Sequence, residues 1–473
     1  MFLIPTGARA DNPWTDEVAP AIAKATDAGT VEAYAEALDV TWRADDWLAA
    51  LPLAREAIAK HPEAAELQAR AARTFWRAGN IAEAEATLKR VPGRTTDRVA
   101  LGMMIVVNLA HGDRSAALRA ASHLESLDDL TAEDVFAIVT ARSTTGHLDG
   151  MTDLLRRVQE LTDPAHGYPE LHFAEQLEGM PEFFAAIGTE PVNRVSKCGS
   201  ARMPVLPLFN LPSCQATING HGPYRLIVDT GGSITLSLDS AVAEEIGLES
   251  ITQSSVHGVA GKTEAGQALV DELCIGDITC RRVLTRTFGV RQAVANSADG
   301  ILGTGIFSDN RMVLDFFDGR LVVQPSTARP AAGQELDARI IGDGKLIALA
   351  TLHDEPVAAL LDSGADLLAA APSRLQRLYP GREFRTASAA LPMGVGSEQN
   401  PEISLTPGLD FAIGGRLYEN YGGLGLDVLD RLLGPLLGMQ TDVLVGMPVM
   451  REMKTLSVDF ARCRMWVDWL DEQ

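Results

Sequence analysis

The chain has 473 residues and a mass of 50.6 kDa, room for about two to four domains that each bury a core. Hydrophobic residues at 46% and charged residues at 22% exclude wholesale disorder. The 63 acidic side chains against 41 Lys and Arg leave a net charge of -22, which argues against nucleic-acid and anionic-membrane binding.

No apolar run approaches the ~20 residues that span a bilayer. The best, Val99 to Ala110, is interrupted by Asn108. Met1 to Ala10 ends in Ala-Arg-Ala before Asp11, as signal cleavage sites do, but it lacks a basic start and its apolar run is only Phe2 to Pro5. Read as the remnant of a longer leader it points to export; the compartment otherwise stays open.

Residues 1–165 are rich in Ala, Leu, Glu and Arg, with apolar residues at helical spacing. Short breaks fall at Asp45-Asp46-Trp47, Gly79-Asn80-Ile81, Gly112-Asp113-Arg114 and Gly146-His147-Leu148, at nearly constant intervals along the chain. Trp42 and Trp76 stand three residues before their breaks, and Ala50, Ala84 and Ala117 five residues after theirs. A period near 34, with a bulky residue before the turn and a small one after it, predicts stacked helix–turn–helix units. The stretch from about 30 to 160 resembles a tetratricopeptide-repeat solenoid, with Asp45 where Gly is usual and the aromatic lost from later repeats. The repeats offer a surface for a protein partner.

From Pro164 the texture changes, and residues 166–199 read as a linker punctuated by Pro169, Pro181 and Pro191. Thereafter the sequence is strand-like. Leu206 to Leu211, Gln215 to Ile218 and Tyr224 to Val228 read as strands, with Asn219-Gly220-His221-Gly222 as a turn and helical patches at Ser240 to Gly247 and Pro372 to Leu378. Few core contacts are expected to cross 165–200. Five scattered cysteines form no disulfide framework; Cys274 and Cys280 flank a turn, and their pairing is left open.

Two places carry the chemistry. Leu226-Ile227-Val228-Asp229-Thr230-Gly231-Gly232-Ser233 runs an apolar strand into an acid, a hydroxyl and glycines, and Ala359-Leu360-Leu361-Asp362-Ser363-Gly364-Ala365-Asp366 does so again further along the chain. An Asp ending an apolar strand is costly to bury unless it is hydrogen-bonded or used. The surroundings repeat as well. Asp299-Gly300-Ile301-Leu302-Gly303 and then Asp315 follow the first motif. Asp442-Val443-Leu444-Val445-Gly446 and then Asp459 follow the second, with the two acids spaced almost as in the first. Both halves also hold a Gly-containing stretch, around Gly258 and Gly394. This is an internal duplication, giving lobe 1 at 200–328 and lobe 2 at 329–473.

The C-terminal region resembles an aspartic protease, bilobal as in pepsin but with compact lobes like those of retroviral proteases. The resemblance implies a multidomain chain: an all-α helical repeat solenoid followed by an all-β, bilobal acid protease barrel fold. It implies that Asp229 and Asp362 form a catalytic dyad supported by Thr230, Gly231, Ser233, Ser363 and Gly364. It also implies that Asp366 holds substrate backbone and that Gly258, Val259, Gly394 and Val395 belong to flaps over the substrate, without the tyrosine of the first pepsin flap. The activity implied is endopeptidase hydrolysis of a peptide or protein substrate by a dyad-activated water, with neither metal nor cofactor.

The physics agrees. Two carboxylates ~3 Å apart cannot both ionise, so the pair keeps one proton and titrates as a unit. Other signals fail: Gly261-Lys262-Thr263 lacks the rest of a P-loop, and the nine His show no ligand spacing. A catalytically idle peptide-binding module is the alternative from another class. A pro-segment role for the helices is disfavoured by their length and regularity, and because no basic cluster is placed to neutralise the dyad.

Overall fold

The breaks in the repeat pattern are where the chain turns between helices. The computed structural model describes residues 12–232, 235–258, 261–328, 332–388, 402–406 and 408–470. Helix α1 (Val18–Ala28) leads into four helix–turn–helix pairs. These are α2 (Val31–Arg43) with α3 (Trp47–Lys60), α4 (Ala65–Arg77) with α5 (Ile81–Leu88), α6 (Arg98–Ala110) with α7 (Arg114–Glu125), and α8 (Ala132–Thr144) with α9 (Met151–Leu161). Gly79, Gly112 and Gly146 turn at φ of 77°, 75° and 77°, and Asp45 takes the same left-handed conformation at 54°. Asp45 is tolerated there because its carboxylate is occupied: Arg77 of the next repeat donates to both oxygens at 2.8 and 2.9 Å. Asp46 and Asp113 cap α3 and α7 through the N–H groups of Ala49 and Ala116. Ala50, Ala84 and Ala117 are buried where helices approach, as is Trp76. Trp42 is only half-buried, with the Arg73 guanidinium 4.4 Å over its ring.

The stretch 166–199 is more structured than a linker. It carries α10 (Glu170–Gln176), α11 (Met180–Ile187) and strand β1 (Arg194–Lys197). Phe173 and Leu177 complete the core of α8 and α9, while Phe183 and Ile187 pack on Leu284.

Lobe 1 holds β2 (Gly199–Arg202), β3 (Ser213–Ile218), β4 (His221–Asp229), β5 (Leu236–Asp239), β6 (Thr252–Gly258), β7 (Gly261–Ile275), β8 (Ile278–Phe288), β9 (Gly300–Gly303), β10 (Asn310–Asp315) and β11 (Arg320–Pro325). Its sheet runs β1-β8-β5-β9-β4-β3-β7-β6, and a further β7–β8 pairing closes a barrel. Leu206 to Leu211 is a turn rather than a strand, because Pro204, Pro207 and Pro212 remove ladder donors. Cys274 faces Thr279 and Cys280 faces Leu273 across the β7–β8 hairpin, so the two thiols do not meet and both are free.

Lobe 2 holds β12 (Gln334–Leu336), β13 (Ala338–Ile341), β14 (Lys345–Leu352), β15 (Glu355–Leu361), β16 (Leu368–Ala370), β17 (Arg385–Ser388), β18 (Glu402–Leu405), β19 (Leu409–Ile413), β20 (Arg416–Tyr421), β21 (Leu424–Leu426), β22 (Val443–Val445), β23 (Met453–Asp459) and β24 (Arg464–Trp469). A third sheet, β12-β24-β23-β10-β11-β2, ties the lobes together. In it Val313 faces Ser457, and these two are as far apart in sequence as the equivalent acids Asp315 and Asp459. The twofold axis of the duplication therefore passes through that pair.

The expectation that few core contacts cross from helices to lobes is overturned. In β15, Val357, Ala359 and Leu361 point into the lobe core, while Ala358 and Leu360 point out and share one apolar cluster with Leu38, Phe75 and Ile81 of the helices. Ile347, Ala369 and Leu444 do the same from neighbouring strands. Lobe 2 is thus a sheet buried on both faces, and an unbroken apolar run is what such a strand requires. Charge reinforces the joint. Arg339 donates to both oxygens of Glu85 at 2.6 and 2.8 Å. Burial pushes the Glu85 carboxyl up, but His111 and Arg339 outweigh it and bring it down to about 2. At the turn of the second repeat a Cβ on Gly79 would lie 2.6 Å from the Gln440 carbonyl, so this glycine serves both the repeat and the joint.

A chain truncated to begin at Ser200 is therefore expected to aggregate, since each large apolar side chain it uncovers forfeits about 1.5–3 kcal/mol of burial. Light scattering of the truncated and full chains checks this; a monodisperse truncated chain would contradict the shared core.

Candidate active site

Both acids end strands that the fold buries. β4 carries buried Leu226, Ile227 and Val228 up to Asp229, and β15 carries Ala359, Leu360 and Leu361 up to Asp362. In lobe 1, β9 lies parallel to β4 with Gly303 opposite Asp229, and β5 runs antiparallel to β9. In lobe 2, β22 lies parallel to β15 with Val445 opposite Leu361, and β16 runs antiparallel to β22. Each acid is thus delivered from the same three-strand arrangement.

The frame acids repeat it too. Asp299 accepts from the Arg225 N–H at 2.9 Å and Asp442 from the Ala358 N–H at 3.3 Å, in each case four residues before the motif acid. Arg291 and Arg374 then pair with them at 2.6 and 3.1 Å. Asp315 instead holds a turn, accepting from the Asp318 N–H at 2.8 Å, and the buried Asp459 pairs with Arg311 at 3.0 Å.

Hydroxyls hold the two loops together. Thr230 Oγ1 donates to the Leu361 carbonyl at 2.8 Å and accepts from the Ser363 N–H at 2.9 Å. Ser363 Oγ donates to the Val228 carbonyl at 2.7 Å and accepts from the Thr230 N–H at 3.0 Å. Both side chains are 0% exposed, so these four bonds are made away from water. The glycines set the approach. A Cβ on Gly364 would lie 2.6 Å from the Asp229 carboxyl carbon, and one on Gly231 would lie 2.5 Å from both Asp362 oxygens. Only Gly fits at either place.

The acids are thereby forced into one electrostatic unit. Burial raises both carboxyls. For Asp362 the Asp229 charge and hydrogen bond raise it further, well above the ordinary 3.8. For Asp229 the hydrogen bond with Asp362 and the Gly231 and Gly232 N–H groups work against burial. The pair therefore titrates as a unit, with Asp362 the more strongly raised partner.

Asp366 is exposed and accepts from Asn210 Nδ2 of the other lobe at 2.9 Å. Gly258 ends β6 opposite Gly261 in the hairpin next to the barrel. Ser233, Val259, Gly394 and Val395 lie outside the described residues. Among the described residues no group of three or more His, Cys, Asp or Glu is placed to hold a metal.

Two features carry no sequence signal. Glu178, between α10 and α11, accepts from Ser255 Oγ at 2.9 Å, and its carbonyl accepts from Gln267 at 3.4 Å, so the helical region grips the β6–β7 hairpin. The other is Lys345 of lobe 2, whose buried ammonium reaches the Gly232 carbonyl at 2.5 Å. It is a lone Lys opening an apolar strand, and a fold is needed to reveal its neighbour. Between the helices and the lobes lies a cavity of about 1140 Å³, lined by Trp42, Phe136 and Phe173 on one side and by Thr235, Arg286 and Asp343 on the other.

Residues 214–306 match the aspartyl protease family model, and residues 42–104 match the tetratricopeptide repeat model. The crystal structure of a retropepsin-like aspartic protease from Rickettsia conorii is similar over 28% of this chain and 95% of that chain, at 14% identity and a TM-score of 0.21. No curated protein matches.

Thr230→Val removes the hydroxyl and keeps the shape, leaving the Leu361 carbonyl and Ser363 N–H buried without it. A loss of about 1–3 kcal/mol for each group so orphaned is expected in urea unfolding, with Thr230→Ser close to wild type. Equal stability of the Val variant would contradict the grip.

Proposed function

We propose that this chain, an aspartyl protease domain built onto tetratricopeptide-like helices, is an aspartic endopeptidase. The observation that carries the reading is the reciprocal Thr230–Ser363 exchange, which sets Asp229 and Asp362 against each other's glycines across the lobe interface. In this role Asp229, the charged partner, takes a proton from a water as that water attacks the peptide carbonyl. Its Oδ1 is buried and has no hydrogen-bond partner among the described residues, which suits an acceptor. Asp362 keeps its proton and donates it toward the developing oxyanion. As the C–N bond breaks, the proton held by Asp229 passes to the leaving amine and Asp362 takes back its proton from a hydroxyl of the tetrahedral intermediate, so the pair again holds one proton and one negative charge, with no covalent intermediate.

The substrate is an extended peptide lying across the dyad beneath the β6–β7 and β17–β18 hairpins, held as an added strand, with Asp366 beside its backbone. The helices serve to recruit substrate or partner; the cavity they share with residues bordering the catalytic loops supports that role.

Asp229→Asn and Asp362→Asn should each fold, bind a non-hydrolysable peptide isostere and lose cleavage of a peptide mixture by about 10²–10⁴-fold. Wild-type activity should require one proton on the pair. It therefore falls on the acid side as Asp229 is protonated and on the alkaline side as Asp362, raised above 3.8, loses its proton. If wild type and both variants bound peptide alike and none cleaved at any pH from about 3 to 8, the chain would be a binding module.

A further inference from the structure

Lys345 opens β14 after the turn Gly342-Asp343-Gly344 and is 1% exposed. A buried ammonium is costly unless its hydrogens find partners. Here Nζ donates to the Gly232 carbonyl at 2.5 Å and to Asp343 Oδ1 at 2.7 Å. Gly232 belongs to the opposite lobe, directly after Asp229-Thr230-Gly231, and its Cβ position lies 2.9 Å from Asp229 Oδ2. The duplication makes the contact conspicuous. With Asp229 set on Asp362, lobe 1 carries Asn210 and Pro212 at the positions equivalent to Asp343 and Lys345, so the cation exists on one side only.

We propose that Lys345 is a positioning residue of the dyad, locking the loop after Asp229 from the opposite lobe and setting a fixed positive charge beside a pair that carries one negative charge. This rests on reading Asp229 and Asp362 as the catalytic pair. The charged groups facing it are Asp343 on its own turn, Arg286 of β8 acting on Asp343, and the two dyad carboxyls. Burial pushes the Asp343 carboxyl up, but Lys345 and Arg286 hold it below its ordinary value, so the turn remains an ion pair. The same ammonium opposes the burial that raises both dyad acids. Its removal therefore raises both apparent values, and removal of the Asp343 charge lowers them.

The test compares Lys345→Met, Lys345→Arg and Asp343→Asn in the full chain by two readouts: the pH–rate profile on a peptide mixture, and the titration of ¹³C-labelled aspartate carboxyls. Both limbs should move to higher pH by about one unit in Lys345→Met, stay near wild type in Lys345→Arg, and move to lower pH in Asp343→Asn. A loss of activity equal at every pH, with neither readout displaced, would make Lys345 merely structural and overturn the inference. If Lys345→Met fails to fold, Asp343→Asn decides: an undisplaced titration overturns the inference. If wild type cleaves nothing yet the carboxyl titration shifts as stated, the inference stands and the protease reading falls.

Discussion

Two hydroxyls, on Thr230 and Ser363, hold this architecture together at its centre. Each donates to a carbonyl of the other lobe and accepts the other's N–H, in a place that excludes water. A hydrogen bond there is expensive to leave unmade, and four of them fix the separation of two loops on different lobes. The glycines next in sequence then bring each loop against the opposite carboxyl. Burial raises both carboxyls, and the closeness of the loops raises Asp362 further while tempering Asp229. The pairing of the two loops, and with it the electrostatics of the two acids, depends on this contact, while the third sheet ties the lobes at their base.

The helical region is built into the protein rather than appended to it. Outward-facing residues of β14, β15, β16 and β22 share a core with the repeats, so lobe 2 reaches its full burial only when the helices cover it. The repeat turns add polar contacts: the Gln440 N–H donates to the Arg77 carbonyl at 2.7 Å, and Arg114 pairs with Asp309 of lobe 1 at 2.7 Å. At the far end, Glu178 holds the β6–β7 hairpin. Anything that displaced the last helices would act on that hairpin directly.

What the sequence made legible was whatever the backbone demands locally. The repeat breaks were readable because a left-handed turn wants Gly, and at the first of them Asp45 takes that conformation while pairing with Arg77. The motif acids were readable because an apolar strand running into Asp-Thr-Gly or Asp-Ser-Gly is an unusual thing to bury, and the duplication repeated it with its frame acids. What stayed hidden depends on contacts distant in sequence. Leu226 to Val228 and Val357 to Leu361 look alike as apolar runs, yet only the second presents a face to the helices. Proline spacing made 166–199 look like a linker, although Phe173 and Phe183 anchor its helices. Lys345 and Glu178 are single charged residues whose meaning lies wholly in neighbours from distant parts of the chain, Gly232 and Ser255.

The central claim is that the two acids act as one group sharing one proton, and a double-mutant cycle on turnover tests it most directly. Cleavage rates of Asp229→Asn, Asp362→Asn and the double variant are compared under conditions where all three are folded. Residues that act as a unit are strongly non-additive. The expected result is a double variant no slower than the slower single variant. Losses that multiply would mean that the acids contribute independently, and would contradict the shared-proton dyad.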